Sequence, residues 1–312
     1  MKPVMTLTLN PAVDQIIELD RLVVGSMNRA RSSTPMTGGK GVNVARVLKA
    51  FDVPVLAAGF AAGAGGASVI RTLGAEGIPA RFLEVPGEVR INLKMHDAAS
   101  GKTTEINQPG FTVDEAVFGR LLAMLAPLVG EMSALVLTGS LPAGTPPDAY
   151  RRLGILARER GVPVFLDADG DNLRWGLSAY PFAVKPNRDE LERHTGVRLG
   201  GDRDWLRGLR GLQTAGAERV AATMGPEGVM MLDGDTAWHA GGLRIQPACA
   251  TGAGDAALAA MIWAWSRALP PRRTVALMSA AGGVTTSKPG VAFCTLEEAL
   301  AASERIPVRE VR

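Results

Sequence analysis

The run Thr251-Gly252-Ala253-Gly254-Asp255-Ala256-Ala257 places a carboxylate in the first turn of an expected helix, directly after small residues that leave successive backbone N–H groups open. Such groups, with the helix dipole behind them, make an anion site. A carboxylate beside that cradle can accept the proton of a hydroxyl nucleophile while the N–H groups absorb charge developing on a transferred phosphoryl group. The alternative for Asp255 is simple electrostatic complement of a helix N-terminus. The same run formally satisfies G-x-G-x-x-G/A, the pattern of dinucleotide-binding folds. That reading needs an acidic residue about 20 positions further on to hold a ribose, and no Asp or Glu stands between Asp255 and Glu297. A nicotinamide-dependent oxidoreductase is thereby disfavoured.

Two other glycine-rich stretches compete for a phosphate. Gly101-Lys102-Thr103 has the end of a Walker A loop, but the position of its first glycine is His96, so the segment reads as a hairpin turn. Gly63-Ala64-Gly65-Gly66-Ala67-Ser68 approximates a dinucleotide fingerprint with serine in place of the third glycine; it reads as a loop that begins a helix.

The elements that must position these residues follow from composition and period. The chain has 312 residues, 46% hydrophobic and 21% charged, which is ordinary globular composition with enough length for a full core. Its net charge of +3 is spread along the chain without a Lys/Arg block, so no nucleic-acid partner is expected; small phosphorylated ligands suit the same charge. No apolar run approaches the length of a membrane span. Met1 to Thr6 reaches a strand-like pattern without a basic leader and apolar core, and the expectation is a cytoplasmic protein. Two cysteines, Cys249 and Cys294, and three histidines do not supply a structural metal site.

Apolar segments rich in Val, Leu and Phe alternate with longer segments of helical period, the pattern of a doubly wound, mostly parallel α/β sheet covered by helices. Strands are expected at 5–9, 55–60, 134–138, 162–167, 183–185 and 220–224, and helices at 42–51, 114–129, 146–160, 202–215 and 256–268. No linker or repeat divides the chain. Segments 13–22 and 90–106 depart from the pattern: Ile91, Leu93 and Met95 alternate with Arg90, Asn92 and Lys94, and Ala98-Ala99-Ser100-Gly101 is a turn signal. These predict a small antiparallel sheet, either a lid or an edge hairpin covering the core.

Gly38-Gly39-Lys40-Gly41-Val42-Asn43-Val44-Ala45-Arg46 and Thr251-Gly252-Ala253-Gly254-Asp255 resemble the two signatures of the PfkB (ribokinase-like) carbohydrate kinases. The resemblance runs from Thr6 to about Ala299 and includes Thr6 to Asp14, Thr138-Gly139-Ser140-Leu141-Pro142, Val184 to Leu191 and Met224-Gly225-Pro226-Glu227-Gly228. It implies a ribokinase-like sandwich over 1–312 with a small β-sheet lid at about 12–30 and 88–108, through which many members form homodimers. It also implies ATP with Mg²⁺, and a ketohexose phosphate as acceptor. By position, Asp255 is the catalytic base and Gly252, Ala253 and Gly254 are the anion hole. Asp14, Gly38, Gly39, Lys40 and Asn43 hold the sugar. Arg90 binds the phosphate already on the substrate, a role that suits a guanidinium fork, or else is a solvated lid charge. Asn187 and Glu190 match the family's magnesium-associated N-x-x-E element and equally satisfy an N-terminal helix cap. Lys185, Asn187, Thr223, Gly225 and Gly228 line the nucleotide.

The match has departures. Cys249 stands where many members carry an Asp tied to a monovalent-cation loop, and Ala292 where some carry Arg, so a monovalent cation is not implied. Lys40 resembles members acting on fructose 1-phosphate or tagatose 6-phosphate and Arg90-Ile91-Asn92-Leu93-Lys94 those acting on fructose 1-phosphate, whereas Lys288 to Cys294 resembles members acting on fructose 6-phosphate. Met27 stands where the latter carry a lysine, and Ser26-Met27-Asn28-Arg29 resembles members acting on tagatose 6-phosphate. The expectation is phosphorylation of fructose 1-phosphate at its 6-hydroxyl. The alternatives are fructose 6-phosphate or tagatose 6-phosphate at the 1-hydroxyl, and a non-catalytic sugar-phosphate sensor.

Overall fold

Val4-Met5-Thr6-Leu7-Thr8 forms β1 (Val4–Thr8), buried at every residue, as a strand covered on both faces must be. The computed structural model describes residues 1–290 and 292–312; Val291, within the Lys288–Cys294 segment, lies outside the described residues. From β1 the chain passes through β2 (Ala12–Leu19), β3 (Ser32–Gly38), α1 (Lys40–Ala50), β4 (Val55–Ala62), α2 (Gly63–Ala75), β5 (Ala80–Val85), β6 (Arg90–Asp97) and β7 (Lys102–Asn107). It continues as α3 (Glu115–Val129), β8 (Ala134–Thr138), α4 (Ala149–Arg158), β9 (Val164–Asp167), α5 (Gly170–Leu177), β10 (Ala183–Val184), α6 (Arg188–Thr195), α7 (Asp202–Thr214) and β11 (Arg219–Thr223). The remainder is β12 (Val229–Asp233), β13 (Thr236–Ala240), α8 (Ala253–Ser266), α9 (Pro271–Ser287), α10 (Leu296–Ser303) and β14 (Val308–Val311).

The large sheet has 10 strands in the order β14-β13-β12-β11-β10-β9-β8-β1-β4-β5. From β5 to β11 neighbours run parallel, and β12, β13 and β14 add an antiparallel edge. Alternate strand residues serve opposite layers: Met5, Leu7, Leu135, Leu137 and Leu166 pack with α3 to α7, whereas Val4, Ala134, Val136 and Phe165 pack with α1, α2, α8, α9 and α10. Every expected strand and helix is present, within the few residues by which such boundaries shift. The chain builds β4 and β5 on one side of β1, then crosses to β8 on the other. In a doubly wound sheet this reversal opens a crevice beyond the carboxyl ends of the strands, and ligands bind there.

The second sheet has four strands in the order β3-β2-β6-β7. Here the expectation of an antiparallel sheet needs correction. The β6–β7 hairpin is antiparallel, closed by Asp97 Oδ1 accepting from the N–H groups of Ala99 (2.9 Å) and Ser100 (3.2 Å), but β2 and β6 are parallel, with Asp14 opposite Asn92. The reason is topological: β2 continues from β1 and β6 from β5, two strands that leave the same edge of the large sheet in the same direction. Strand β3, which pairs antiparallel with β2, was not expected, because Ser32-Ser33-Thr34-Pro35 shows no apolar alternation.

One close approach fixes the joint between β1 and β4. Gly59 sits opposite Thr8 at φ 150°, and a Cβ there would lie 1.9 Å from the Thr8 carbonyl oxygen, a contact that backbone cannot relieve. Gly59→Ala is expected to cost about 3 kcal/mol, read as a lowered midpoint in chemical denaturation; an unchanged midpoint would show that β1 and β4 can separate locally.

Candidate active site

The two glycine-rich segments that flank most of the chain meet at one point. Gly252 caps α8 at φ 83°, where a Cβ would come within 2.6 Å of the Phe293 ring, so glycine is required both by backbone and by space. Asp255, in the first turn of α8, is 6% exposed, and its Oδ2 accepts a 2.8 Å hydrogen bond from Asn43 Nδ2 on α1. Burial and the nearby Asp167 carboxylate push the Asp255 carboxyl up to about 6, while Asn43, Lys40 and Lys185 pull the other way. That value suits proton acceptance near neutral pH.

Asp167, the last residue of β9, was not singled out from the sequence. It is 1% exposed and lies between two lysines, with Lys185 Nζ at 3.4 Å and Lys40 Nζ at 3.6 Å from Oδ1. Thr138 Oγ1 donates to Oδ2 at 3.4 Å. Burial alone would raise this carboxyl, but Lys185 and Lys40 outweigh it and hold Asp167 below the usual carboxylate range. Its signal was an acid closing a wholly apolar strand, Val164-Phe165-Leu166-Asp167, at the edge where doubly wound sheets bind ligands.

Asn187 and Glu190 form a complete capping box at the start of α6: Asn187 Oδ1 accepts from the Glu190 N–H at 2.9 Å, and Glu190 Oε2 accepts from the Asn187 N–H at 2.8 Å. The cap leaves Glu190 Oε1 free to face Lys40 Nζ, 3.9 Å away. Burial first, and Asp167 second, raise the Glu190 carboxyl. A cavity of about 680 Å³ opens beside this cap. Asn187, Thr223, Gly225, Gly228 and Gly254 line its polar side, and Leu243, Ile245 and Met278 give it an apolar wall. Lys185 is not among the lining residues. It is buried behind the α8 N-terminus, where a Cβ on Gly254 would lie 3.5 Å from its Nζ.

On the other side of the crevice Asp14 projects from β2. Asn92 Nδ2 donates to its Oδ1 at 2.8 Å and Lys94 Nζ pairs with its Oδ2 at 2.8 Å. Arg90, at the start of β6, donates from Nη2 to the Asn10 carbonyl at 3.3 Å, and its buried Nε has no partner. Burial lowers this guanidinium, with Asp14 opposing; an arginine remains charged regardless. Asn10 in turn donates to Ser140 Oγ and the Leu141 carbonyl, so Arg90 reaches the β1–β8 crevice. Gly38 ends β3 and Gly39, at φ 127° beside Thr8, leads into α1. Sequence reasoning missed Asn92 and Lys94 although their alternation with Ile91 and Leu93 was visible: the polar face of β6 turns inward here. The opposite face leaves Ile91 and, on β7, Ile106 exposed. Met27 is 81% exposed.

Cys249, at the monovalent-cation departure, donates its backbone N–H to the Thr286 carbonyl at 3.0 Å. Among the described residues no group of three or more His, Cys, Asp or Glu side chains is arranged to hold a metal unaided. Nor is any described helix long and apolar enough to cross a membrane.

A buried, near-neutral carboxylate at a helix N-terminus, set between a nucleotide-sized cavity and a cationic crevice, is arranged for phosphoryl transfer to an alcohol. The chain belongs to the pfkB family of carbohydrate kinases, whose model matches residues 7–299, and it is a phosphotransferase that acts on a sugar hydroxyl; the family implies ATP and a divalent metal. Among curated proteins it is 40% identical to the 1-phosphofructokinase of Xanthomonas campestris pv. campestris, over 82% of this chain and 82% of that one. It is 32% identical to the 1-phosphofructokinase of Bacillus subtilis, over 90% of this chain and 92% of that one. Among solved structures, the potassium complex of phosphofructokinase-2 from Escherichia coli superposes with a TM-score of 0.90 at 26% identity, covering 98% of this chain and 99% of that one.

Replacing Asp255 by Asn keeps the shape and an acceptor for Asn43 but removes the base. kcat is expected to fall by about 10²–10⁴-fold, while Tm holds or rises, because a buried charge disfavoured by Asp167 has gone. Activity within threefold of wild type would remove Asp255 from proton transfer.

Proposed function

We propose that the chain transfers the γ-phosphoryl group of ATP to the 6-hydroxyl of fructose 1-phosphate, giving fructose 1,6-bisphosphate. The observation that carries this reading is the position of Asp255, buried at the α8 N-terminus and fixed by Asn43 from the first turn of α1. The names of the two curated relatives support the choice of sugar. The E. coli neighbour has been solved with fructose 6-phosphate, which makes that sugar the competitor to measure. A non-catalytic sensor is not favoured, since it has no use for an intact, activated Asp255.

In this reading Asp255 takes the proton of the attacking hydroxyl, and the N–H groups of Gly252, Ala253 and Gly254 absorb the charge that develops on the transferred group. Asp14 holds sugar hydroxyls, with Gly38, Gly39, Lys40 and Asn43 closing the loop around the sugar. Asn92 and Lys94 hold both Asp14 oxygens in place and offset its charge as a phosphate dianion enters. Arg90 grips that phosphate. Thr223, Gly225, Gly228 and Asn187 line the nucleotide cavity, and Lys185 keeps Asp167 ionised behind the anion hole.

The divalent cation in this reading is Mg²⁺. The residues fit it: Asp167 Oδ1 is buried with no hydrogen-bond partner, and Glu190 Oε1 stands outside the helix cap. Two such oxygens, with Asn187 beside them, match an ion that takes most of its shell from water and phosphates. Bound there, the ion would neutralise charge on the β- and γ-phosphates.

The same reading makes 1–312 one ribokinase-like domain in the cytoplasm, with the small sheet as its lid. The exposed apolar side chains Ile91 and Ile106 support a homodimer formed through the outer face of that sheet.

With ATP and the divalent cation saturating, kcat/KM is expected to favour fructose 1-phosphate over fructose 6-phosphate and tagatose 6-phosphate by at least about a hundredfold. Arg90→Ala should raise KM for the phosphorylated sugar by about tenfold or more with kcat little changed. Preference for a 6-phosphate overturns the substrate, and an equal loss toward unphosphorylated fructose overturns the role of Arg90.

A further inference from the structure

Lys40 is the first residue of α1, on the sugar side of the crevice, yet its side chain ends on the opposite wall. Its stem passes Gly139, where a Cβ would meet Lys40 Cβ at 3.7 Å. Its Nζ stands 3.6 Å from Asp167 Oδ1 and 3.9 Å from Glu190 Oε1. Both separations exceed hydrogen-bond length, so charge alone holds the ammonium there.

Lys185 pairs with the same Asp167 oxygen, at 3.4 Å, but the two lysines differ in freedom. The Lys185 side chain is 4% exposed and enclosed, whereas that of Lys40 is 42% exposed. One cation is a fixed part of the interior; the other can leave by rotation of a flexible four-carbon stem. Without Lys40, the buried carboxylates of Asp167, Glu190 and Asp255 would face Lys185 alone. The oxygens that Lys40 covers are the two assigned above to the divalent cation. An ammonium and a dication within a few ångströms of the same oxygens repel strongly in so poorly solvated a place, so the two occupancies exclude each other.

We infer that Lys40 is a tethered stand-in cation, seated on Asp167 and Glu190 while metal and nucleotide are absent and obliged to withdraw when they bind. The inference rests on the reading of Asp167 and Glu190 as the metal-facing pair. Its consequence is an order of binding. Free divalent metal competes poorly against a cation linked to the same chain, whereas a metal–nucleotide complex brings phosphate oxygens that Lys40 can face instead. Lys40 thus keeps the acidic pair neutralised before the phosphates arrive and becomes available to them afterwards.

The test is binding of Mn²⁺, alone and with ADP, followed by electron paramagnetic resonance or calorimetry, in wild type, Lys40→Met, Lys40→Arg, Glu190→Gln and Lys40→Met with Glu190→Gln, with folding checked by circular dichroism. Lys40→Gln replaces the methionine variant if that one does not fold. Lys40→Met is expected to bind Mn²⁺ alone about tenfold or more tightly than wild type, Lys40→Arg to stay near wild type, and the double variant to lose the gain. If Lys40→Met binds Mn²⁺ alone no more tightly than wild type, while the single variant Glu190→Gln weakens binding of Mn²⁺ with ADP, the inference falls and the metal reading stands. If Glu190→Gln changes neither measurement, the metal lies elsewhere and both fall.

Discussion

Buried charge at one edge of a parallel sheet is the constraint on which the rest of this molecule depends. Asp167 and Asp255 are almost fully enclosed, and each raises the cost of ionising the other. Lys185 settles the balance from within the core, and Lys40 from the crevice, leaving Asp167 below the usual carboxylate range and Asp255 raised to about 6. Removing a lysine from such a set leaves enclosed carboxylates without their compensating charge. The cluster is therefore costly to the fold, and in the proposed reaction it supplies one permanent anion and one proton acceptor.

The architecture explains how the members come together. Asp167 ends β9, Lys185 follows β10, Glu190 lies in the first turn of α6, and Asn10 follows β1. Each is delivered by the carboxyl end of a parallel strand, where side chains leave the covered sheet and enter the crevice at its reversal point. The two helix starts that complete the site, α1 and α8, lie on the same face of the sheet and pack together. That packing brings Asn43 within 2.8 Å of Asp255 across 212 residues of sequence. The small sheet belongs to the same logic, because its strands extend from β1 and β5 beyond the edge and turn the polar side of β6 inward.

Much of this was legible in the sequence, and the misses have physical causes. The β-strands from β1 to β11 that lie at the centre of the large sheet announce themselves as apolar runs, and α8 by the glycine-rich start that frees its N–H groups. Helix α9 is buried nearly all round, so Thr274 to Ala281 shows no polar stripe from which a helical period could be read. Strand β3 has the opposite difficulty, since Ser32 to Pro35 are exposed and carry no pattern at all. The candidate residues at the glycine-rich loops stand out in the sequence because backbone needs mark them. Asp167, Asn92 and Lys94 escaped because an isolated polar residue on a strand gains its meaning only from the partner opposite, and that partner is set by sheet order. The capping box at Asn187 and Glu190 shows one motif meeting two demands, with one carboxylate oxygen closing the helix and the other facing the charge cluster.

In the proposed reaction Asp255 accepts the substrate's proton with a carboxyl that burial and Asp167 have raised to about 6. The most direct measurement is the pH dependence of kcat/KM for fructose 1-phosphate between pH 4.5 and 8. A base works only when deprotonated, so a plateau is expected above neutrality, with a fall below about pH 6 that approaches tenfold per unit. A profile that stays flat down to the ordinary carboxylate range, or an identical profile in Asp255→Asn, would contradict it.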